Sequence, residues 1–497
     1  MNDEKIKLDK LRNSALHIGK EEIIAKRKEA NKIENEQDTE KLFEEINLRL
    51  QNYLKMDNVS FLFGTGSSMP LGGKSIDSIP LSIEKNLFQK VNEKSKMAQM
   101  FYFAIGVLSK DKELIQNAKD EVKFENYTKQ RRRQIEGLLA PGSEDKIEHK
   151  INLEHLLGYL YKIKSIELSD NSHISIDNFE ISGTEGTDGT LVDKLIEFLK
   201  IELFGLCNIP KEDFVRKGND ENLYRKEHKK DEEIEIKDYY YYHKELLKRI
   251  LSRPLNLKRA KIFTTNYDLV IEKAMDELGI MYIDGFVGFH RRTLRPESYN
   301  YDLYYPTATT EGKVHRLEKV IHFYKLHGSL SWVEKKKDSV NIYGIEERNI
   351  EILGDKEKGR VMIYPTPLKK RFALDFPYSE MFRHFASAIT QPQAVLITIG
   401  YSFGDEHIND IIYQALSISS FTLIVVNKSL SPEIERLINI NDPRIIVLTG
   451  NYLGDFRNFS TEILPYFHET KIEENIARTM NILYKKEVGE KKDNESR

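Results

Sequence analysis

The most constraining feature of this chain is a succession of short apolar runs that each close on glycine or a polar side chain. Val59-Ser60-Phe61-Leu62-Phe63 gives way to Gly64-Thr65-Gly66-Ser67-Ser68, Ile262-Phe263 to Thr264-Thr265-Asn266-Tyr267-Asp268, and residues 320–326 to His327-Gly328-Ser329. Residues 394–399 run into Gly400-Tyr401-Ser402-Phe403-Gly404-Asp405-Glu406-His407, residues 421–426 into Asn427, and residues 445–448 into Thr449-Gly450. Residues 361–364 read as a further strand running into Pro365-Thr366-Pro367. Helix-period residues follow, such as Leu269, Ile271, Ala274, Met275 and Leu278 after the second run. Apolar continuity over strand length, alternating with helices, implies buried parallel strands. The expected fold class is α/β, a Rossmann-like and mostly parallel sheet flanked by helices, with its ligand edge where the runs end.

At 497 residues the chain is longer than one core usually supports, so a catalytic domain with an added module is expected. The first strand ends at Phe63 and the next recognisable one begins near Lys261, an interval too long to be a loop. Residues 87–109, 153–166, 191–204 and 239–251 carry helix-period apolar residues, while 169–190 is rich in Ser, Asp, Gly and Asn. The expected organisation is a charged arm over 1–38, a catalytic domain built from 39–84 and 255–455, a large mainly helical insertion over 85–254, and a C-terminal helix and charged tail over 456–497. Helix periodicity from Thr39 through Leu42, Phe43, Ile46, Leu50 and Leu54 leads into the domain.

With 40% hydrophobic and 31% charged residues, the composition is that of a soluble globular protein. The net charge of -3 argues against direct nucleic-acid binding, and a run such as Arg131-Arg132-Arg133 is ordinarily a solvated helix face. Cys207 is the single cysteine, which excludes an internal disulfide, a CxxC zinc module and a zinc ribbon. The first residues, MNDEKIKLDKLR, lack the apolar core of a signal peptide, and no run has the length of a membrane span. A cytoplasmic protein with no metal and no membrane association is expected.

Thr264-Thr265-Asn266-Tyr267-Asp268 sets hydroxyls, an amide and a carboxylate beyond a strand end, where open α/β sheets bind ligands. Asn and Asp at such a turn also serve as ordinary N-caps, and the string alone does not decide between the two. Gly64-Thr65-Gly66-Ser67 suits either a tight turn or a phosphate cradle, since glycines let backbone N–H groups approach an anion. A histidine beside a glycine, as at His327-Gly328, is commonly structural.

Taken together and in this order, GTGSS, TTNYD, KLHGSLSW, GYSFGDEHIND and the strand-end Asn427 resemble the sirtuin-like (silent information regulator) superfamily, specifically its bacterial antiphage-defence branch. The resemblance covers about 39–84 and 255–455. It implies that Gly64, Thr65, Gly66 and Ser67 cradle the pyrophosphate of NAD, with Gly400 and Ser402 on its other side and Asn427 on the adenosine ribose. It further implies that Asn266 orients the nicotinamide ribose and a water, with Thr265 beside it. Asp268 would read the carboxamide, and His327 would be the general base. Two departures stand out. Met69-Pro70-Leu71-Gly72-Gly73-Lys74 replaces the usual Pro-Asp-Phe-Arg string, and the four-cysteine zinc ribbon is missing.

The resemblance implies an NAD glycohydrolase that cuts its substrate NAD to nicotinamide and ADP-ribose without a metal, as an abortive-infection effector. The alternatives are an NAD-dependent protein deacylase, which lacks here the usual zinc module, and a non-catalytic NAD or ADP-ribose sensor. The implied partners are further copies of the chain, as a homo-oligomer, and a separate regulatory protein: a HerA-type ATPase, a nucleotide-sensing subunit or a phage protein. Residues 169–190 and the densely charged stretch 216–237 are the expected partner surfaces, and the insertion's base is expected near the cofactor cleft.

Overall fold

The protein is described by a computed structural model over residues 13–29, 36–74, 79–90, 95–138, 153–169, 175–176, 179–180, 190–212, 215, 220, 222–229, 232–306, 314–358, 361–363 and 377–467. A nine-stranded central sheet has the order Glu21–Glu22, Ser14–Ile18, Ile445–Gly450, Thr422–Asn427, Val395–Ile399, Val59–Phe63, Lys261–Thr264, Val320–Lys325, Met281–Ile283. From Ile445–Gly450 to Met281–Ile283 every pairing is parallel. Val59–Phe63 and Val395–Ile399 are buried at every position, as strands covered on both faces must be. Successive side chains alternate between the two covers. Phe61 and Phe63 join a core with Leu42, Ile46, Leu246, Ile250, Val270 and Ala274, whereas Leu62 joins Met381, Phe385, Ile408, Ile412 and Ile434 on the other face. The fold is the Rossmann-like one that the apolar runs predict.

Val59–Phe63 marks the reversal of strand order. The chain continues on one side of it through Lys261–Thr264 and on the other through Val395–Ile399. Such a switch point opens a crevice beyond the carboxyl ends of the strands.

Two expectations need correction. Residues 14–18, inside the stretch read as an arm, form a strand antiparallel to Ile445–Gly450, second from the sheet's edge, with Ala15 opposite Thr449 and Leu16 buried. Val361–Ile363 does not extend the parallel sheet. It pairs antiparallel to Gly328–Glu334 in a second, five-stranded sheet with Ile345–Glu347, Arg292–Leu294 and Phe286–Val287.

Between Val59–Phe63 and Lys261–Thr264, helices Ile79–Lys90, which begins ahead of the expected boundary at 85, Lys96–Ser109, Lys112–Lys119, Glu121–Leu138, Leu153–Ser169 and Leu191–Cys207 build the body of the segment read as the insertion. Its core around Phe101, Phe103, Leu156, Leu160 and Leu199 also takes in Leu330 and Val333 of the small sheet, so the two pack as one layer. Arg131 of the basic run is buried there, its guanidinium 2.7 Å and 2.9 Å from the Glu84 carboxylate, and Tyr102 donates to the same group. Tyr241–Leu251, by contrast, packs its Leu246 and Ile250 on the central sheet. The charged stretch 216–237 contains a hairpin, Tyr224–Lys229 with Glu232–Lys237. Of 169–190, the described part includes a short pairing of Ser175–Ile176 with Phe179–Glu180. Residues 1–12, the Pro365-Thr366-Pro367 string and the charged tail lie outside the described residues. No described helix is long and apolar enough to cross a membrane.

Candidate functional site

Phe63, Thr264 and Lys325 lie opposite one another in register, so the turns that follow their strands start side by side. The Gly64 turn is held by its glycines against the neighbouring strand end. Gly64 N donates to Ile399 O at 3.0 Å and Gly66 N to Gly400 O at 2.9 Å. A Cβ on Gly66 would sit 2.6 Å from Gly400 Cα, and one on Gly400, whose φ is +62°, would sit 2.6 Å from Ser67 N. Ser67 N and Ser68 N are also engaged, bonding to Gly64 O and Thr65 O. These N–H groups close the turn rather than face the cleft, so the glycines bring two strand ends into contact.

Asn266 is buried beside this turn. Its amide nitrogen donates to Gly64 O at 3.0 Å and Ser68 Oγ at 3.0 Å, with Ser67 Oγ at 3.3 Å, while its backbone N–H donates to Thr264 Oγ1. The amide donor therefore fixes the glycine turn, and none of these bonds uses the carbonyl oxygen. Asp268 accepts from Ser68 Oγ at 2.7 Å and from Val270 N at 3.1 Å. Burial pushes its carboxyl up, opposed by Lys325, Ser68 and Val270. Lys325 donates to the Asp268 carbonyl and pairs with Glu272 at 2.6 Å, beneath the turn.

His327 belongs to the two-residue connection between Val320–Lys325 of the central sheet and Gly328–Glu334 of the small one. Gly328 takes φ +95° there, and Leu330 N donates to Tyr267 O at 3.0 Å, tying the second sheet to the Asn266 turn. His327 is 7% exposed, with Nε2 4.0 Å from Asp405 Oδ2.

These groups line one cleft with about 780 Å³ of empty space, mouth included. Thr65, Ser68, Lys74, Thr265, Asn266, Asp268, His327 and Asp405 form its polar side. Leu153, Leu203, Leu206, Cys207 and Ile209 of the insertion form an apolar wall, so the insertion reaches the cleft with whole helix ends as well as with its base. Burial and the Asp268 carboxylate push the Cys207 thiol up to about 12, so it is a packed apolar group at neutral pH.

Of the residues expected at the site, Thr65, Thr265, Asn266, Asp268 and His327 are brought together here. Gly64, Gly66, Ser67, Gly400, Ser402 and Asn427 are outside the cleft's lining, along the strand ends beside it. Ser402 is exposed, and the Asn427 amide donates locally to Ser429 O at 2.9 Å. Sequence reasoning missed Ser68, Asp405 and Lys74. Lys74 is the one cation among the described lining residues, its ammonium 2.7 Å from Ser82 Oγ. Burial first, and then the neighbouring Lys85, lower its pKa.

Residues 260–446 match the model of the SIR2-like domain. The matched SIR2-like span holds Asn266, Asp268, His327 and Asp405, whereas the Gly64 turn lies outside it and joins it through the central sheet. The match supports the sirtuin-like superfamily and, at that level, an NAD-related function. No curated protein matches the chain.

Proposed function

We propose that the chain is an NAD glycohydrolase that cleaves NAD to nicotinamide and ADP-ribose and acts as a bacterial antiphage-defence effector by depleting NAD. The convergence of Asn266, Asp268 and His327 on one cleft carries this reading. The nicotinamide ring nitrogen is cationic in NAD and becomes neutral by taking the electron pair of its bond to ribose C1′, so that bond breaks with little acid help, through an oxocarbenium-like state. Asn266 orients the ribose and the attacking water, and Asp268 reads the carboxamide. As the water oxygen bonds to C1′, its proton passes to the His327 imidazole.

Because the Gly64, Gly66, Ser67 and Ser68 N–H groups are engaged within the fold and the Ser68 hydroxyl is committed to Asp268, the pyrophosphate charge is met by Lys74 with the Thr65 and Thr265 hydroxyls. Ser402 and Asn427 continue along the strand ends toward the adenosine ribose. The apolar wall of the insertion closes one side of the reacting centre, which favours a nucleotide substrate over a long acyl-lysine peptide. Control by a homo-oligomer and by a separate regulatory protein in the cytoplasm belongs to the same proposal, since an unrestrained NAD hydrolase would harm its own cell.

The test is nicotinamide release from NAD by the purified chain, alone, with its genomic neighbour, and with an acyl-lysine peptide. Release without peptide is the expected result. Release only with peptide would make it a deacylase, and NAD binding without release under all conditions would make it a sensor.

A further inference from the structure

His327, Asp405 and His407 each offer one donor atom, and the three atoms lie within 4.8 Å of one another. They come from separate elements. His327 sits where the two sheets meet, Asp405 holds the N-cap position of the helix Glu406–Leu416 without a side-chain capping bond, and His407 lies in the first turn of that helix. The imidazole rings of the two histidines are 5.5 Å apart and tilted by 38°, and Phe382 packs edge-on against His407 at 4.7 Å. The His327 and Asp405 side chains are only 8% and 13% exposed, yet both line the cleft, which supplies an entry path for a small ion.

Two imidazole nitrogens and one carboxylate oxygen form the donor set of borderline divalent transition ions. Ligands bound at about 2.1 Å from one ion stand roughly 3 to 3.5 Å apart, so the donors need to close by about an ångström. Side-chain rotation at a loop junction and a helix start supplies that movement without moving the sheet. A tetrahedral ion would complete its shell with water from the cleft.

We propose that His327, Asp405 and His407 form a reversible binding site for a zinc-class divalent cation, and that occupancy inhibits the enzyme. Zinc on the His327 nitrogen takes the lone pair that would accept a proton from water, so metal binding and base function exclude each other. The binding site stands independently of the reaction proposed above, while the inhibitory consequence rests on it.

Tag-free full-length protein is titrated with Zn²⁺ by calorimetry and with Co²⁺ by visible absorption. Nicotinamide release is followed in parallel with added Zn²⁺ and then with chelator. One ion per chain is expected, with inhibition that the chelator reverses, and metal-free protein remains active. His407→Ala and Asp405→Asn, checked for folding by circular dichroism, lose metal affinity at least about tenfold, and His407→Ala keeps its turnover in the presence of zinc. Absence of ion binding by the wild type, or wild-type affinity in both folded variants, overturns the site. Stoichiometric binding with undiminished release overturns the inhibition. A wild type that binds the ion but releases no nicotinamide under any condition leaves the site standing and removes the proposed reaction.

Discussion

The Ser68 hydroxyl donates to the buried Asp268 carboxylate across 2.7 Å, joining the turn after Val59–Phe63 to the turn after Lys261–Thr264. Ser68 also accepts from the Asn266 amide, so one hydroxyl fixes the glycine turn, the amide and the carboxylate relative to one another. Burial works to protonate Asp268, and the Ser68 bond is among the interactions that keep it ionised. Replacing Ser68 by Ala removes a hydrogen bond to the charged form, so the Asp268 pKa rises further. If ionised Asp268 reads the carboxamide, the acid limb of the pH profile of kcat/KM moves to higher pH in Ser68→Ala. An unmoved limb would separate Asp268 from recognition.

On the proposed reaction, Asn266→Ala and His327→Ala should each lower NAD cleavage by about a hundredfold or more, since each would remove a group positioned at the reacting centre. Their stabilities should differ. Asn266→Ala also releases the bonds to Gly64 O and the serine hydroxyls and should cost about 1–3 kcal/mol, whereas His327→Ala should cost less. Turnover assays and thermal melts on the same samples check both statements.

The central sheet was legible because buried parallel strands are continuous apolar runs, and Asn266, Asp268 and His327 were legible because they follow two of those runs closely. Other parts depend on contacts between distant segments. Strand Ser14–Ile18 offers only Leu16 as a buried apolar residue, so its pairing with Ile445–Gly450 leaves no periodic signal. The glycines of the first turn suit a tight turn or a phosphate cradle in sequence, and their N–H groups bond to Ile399 O and Gly400 O, more than three hundred residues later. Lys74 is carried back by the tight turns Thr65–Ser67 and Met69–Leu71, closed by Gly73 N to Ser68 O at 3.0 Å. Asp405 stands at the N-cap position of Glu406–Leu416, and its approach to His327 is a product of the sheet order.

Lys74→Met should raise the KM for NAD about tenfold or more with little change in kcat, because it removes a charge that binds ground and transition states alike. Nicotinamide riboside has the same scissile bond and no phosphate, so its cleavage should respond far less. Equal losses on both substrates would assign Lys74 to the shape of the cleft instead.

Asp284 and Glu347 share the Arg292 guanidinium behind the cleft, with Arg292 Nη2 2.9 Å and 3.0 Å from the Asp284 oxygens and Nη1 on Glu347. Burial and the Asp284 charge push Glu347 up from 4.5 to about 8. Between those values the folded state holds a proton that the unfolded chain has lost, so stability falls as pH rises from about 4.5 towards 8. The Tm should decline across that window, and Glu347→Gln, which mimics the protonated form, should flatten the decline. A Tm in the variant that falls as steeply as in the wild type would exclude this pair as the source.

The insertion's wall gives the last prediction. Leu203 is buried in the insertion's core, so its truncation would mainly measure stability, at about 2–5 kcal/mol. Leu206 is only partly buried, one residue short of the end of Leu191–Cys207, and lines the same cleft as Asn266 and Asp268. Leu206→Trp therefore adds bulk towards the substrate, and it should lower kcat/KM for NAD about tenfold with a small shift in Tm. A movement of this helix would alter the same wall, which connects the insertion physically to control of the site. If a regulatory partner acts through the insertion, its addition should stimulate the wild type and should fail to restore Leu206→Trp, because the added ring fills the cleft whichever way the helix moves. Full wild-type turnover by a folded Leu206→Trp would place the substrate away from this wall and leave the insertion without a direct route to the chemistry.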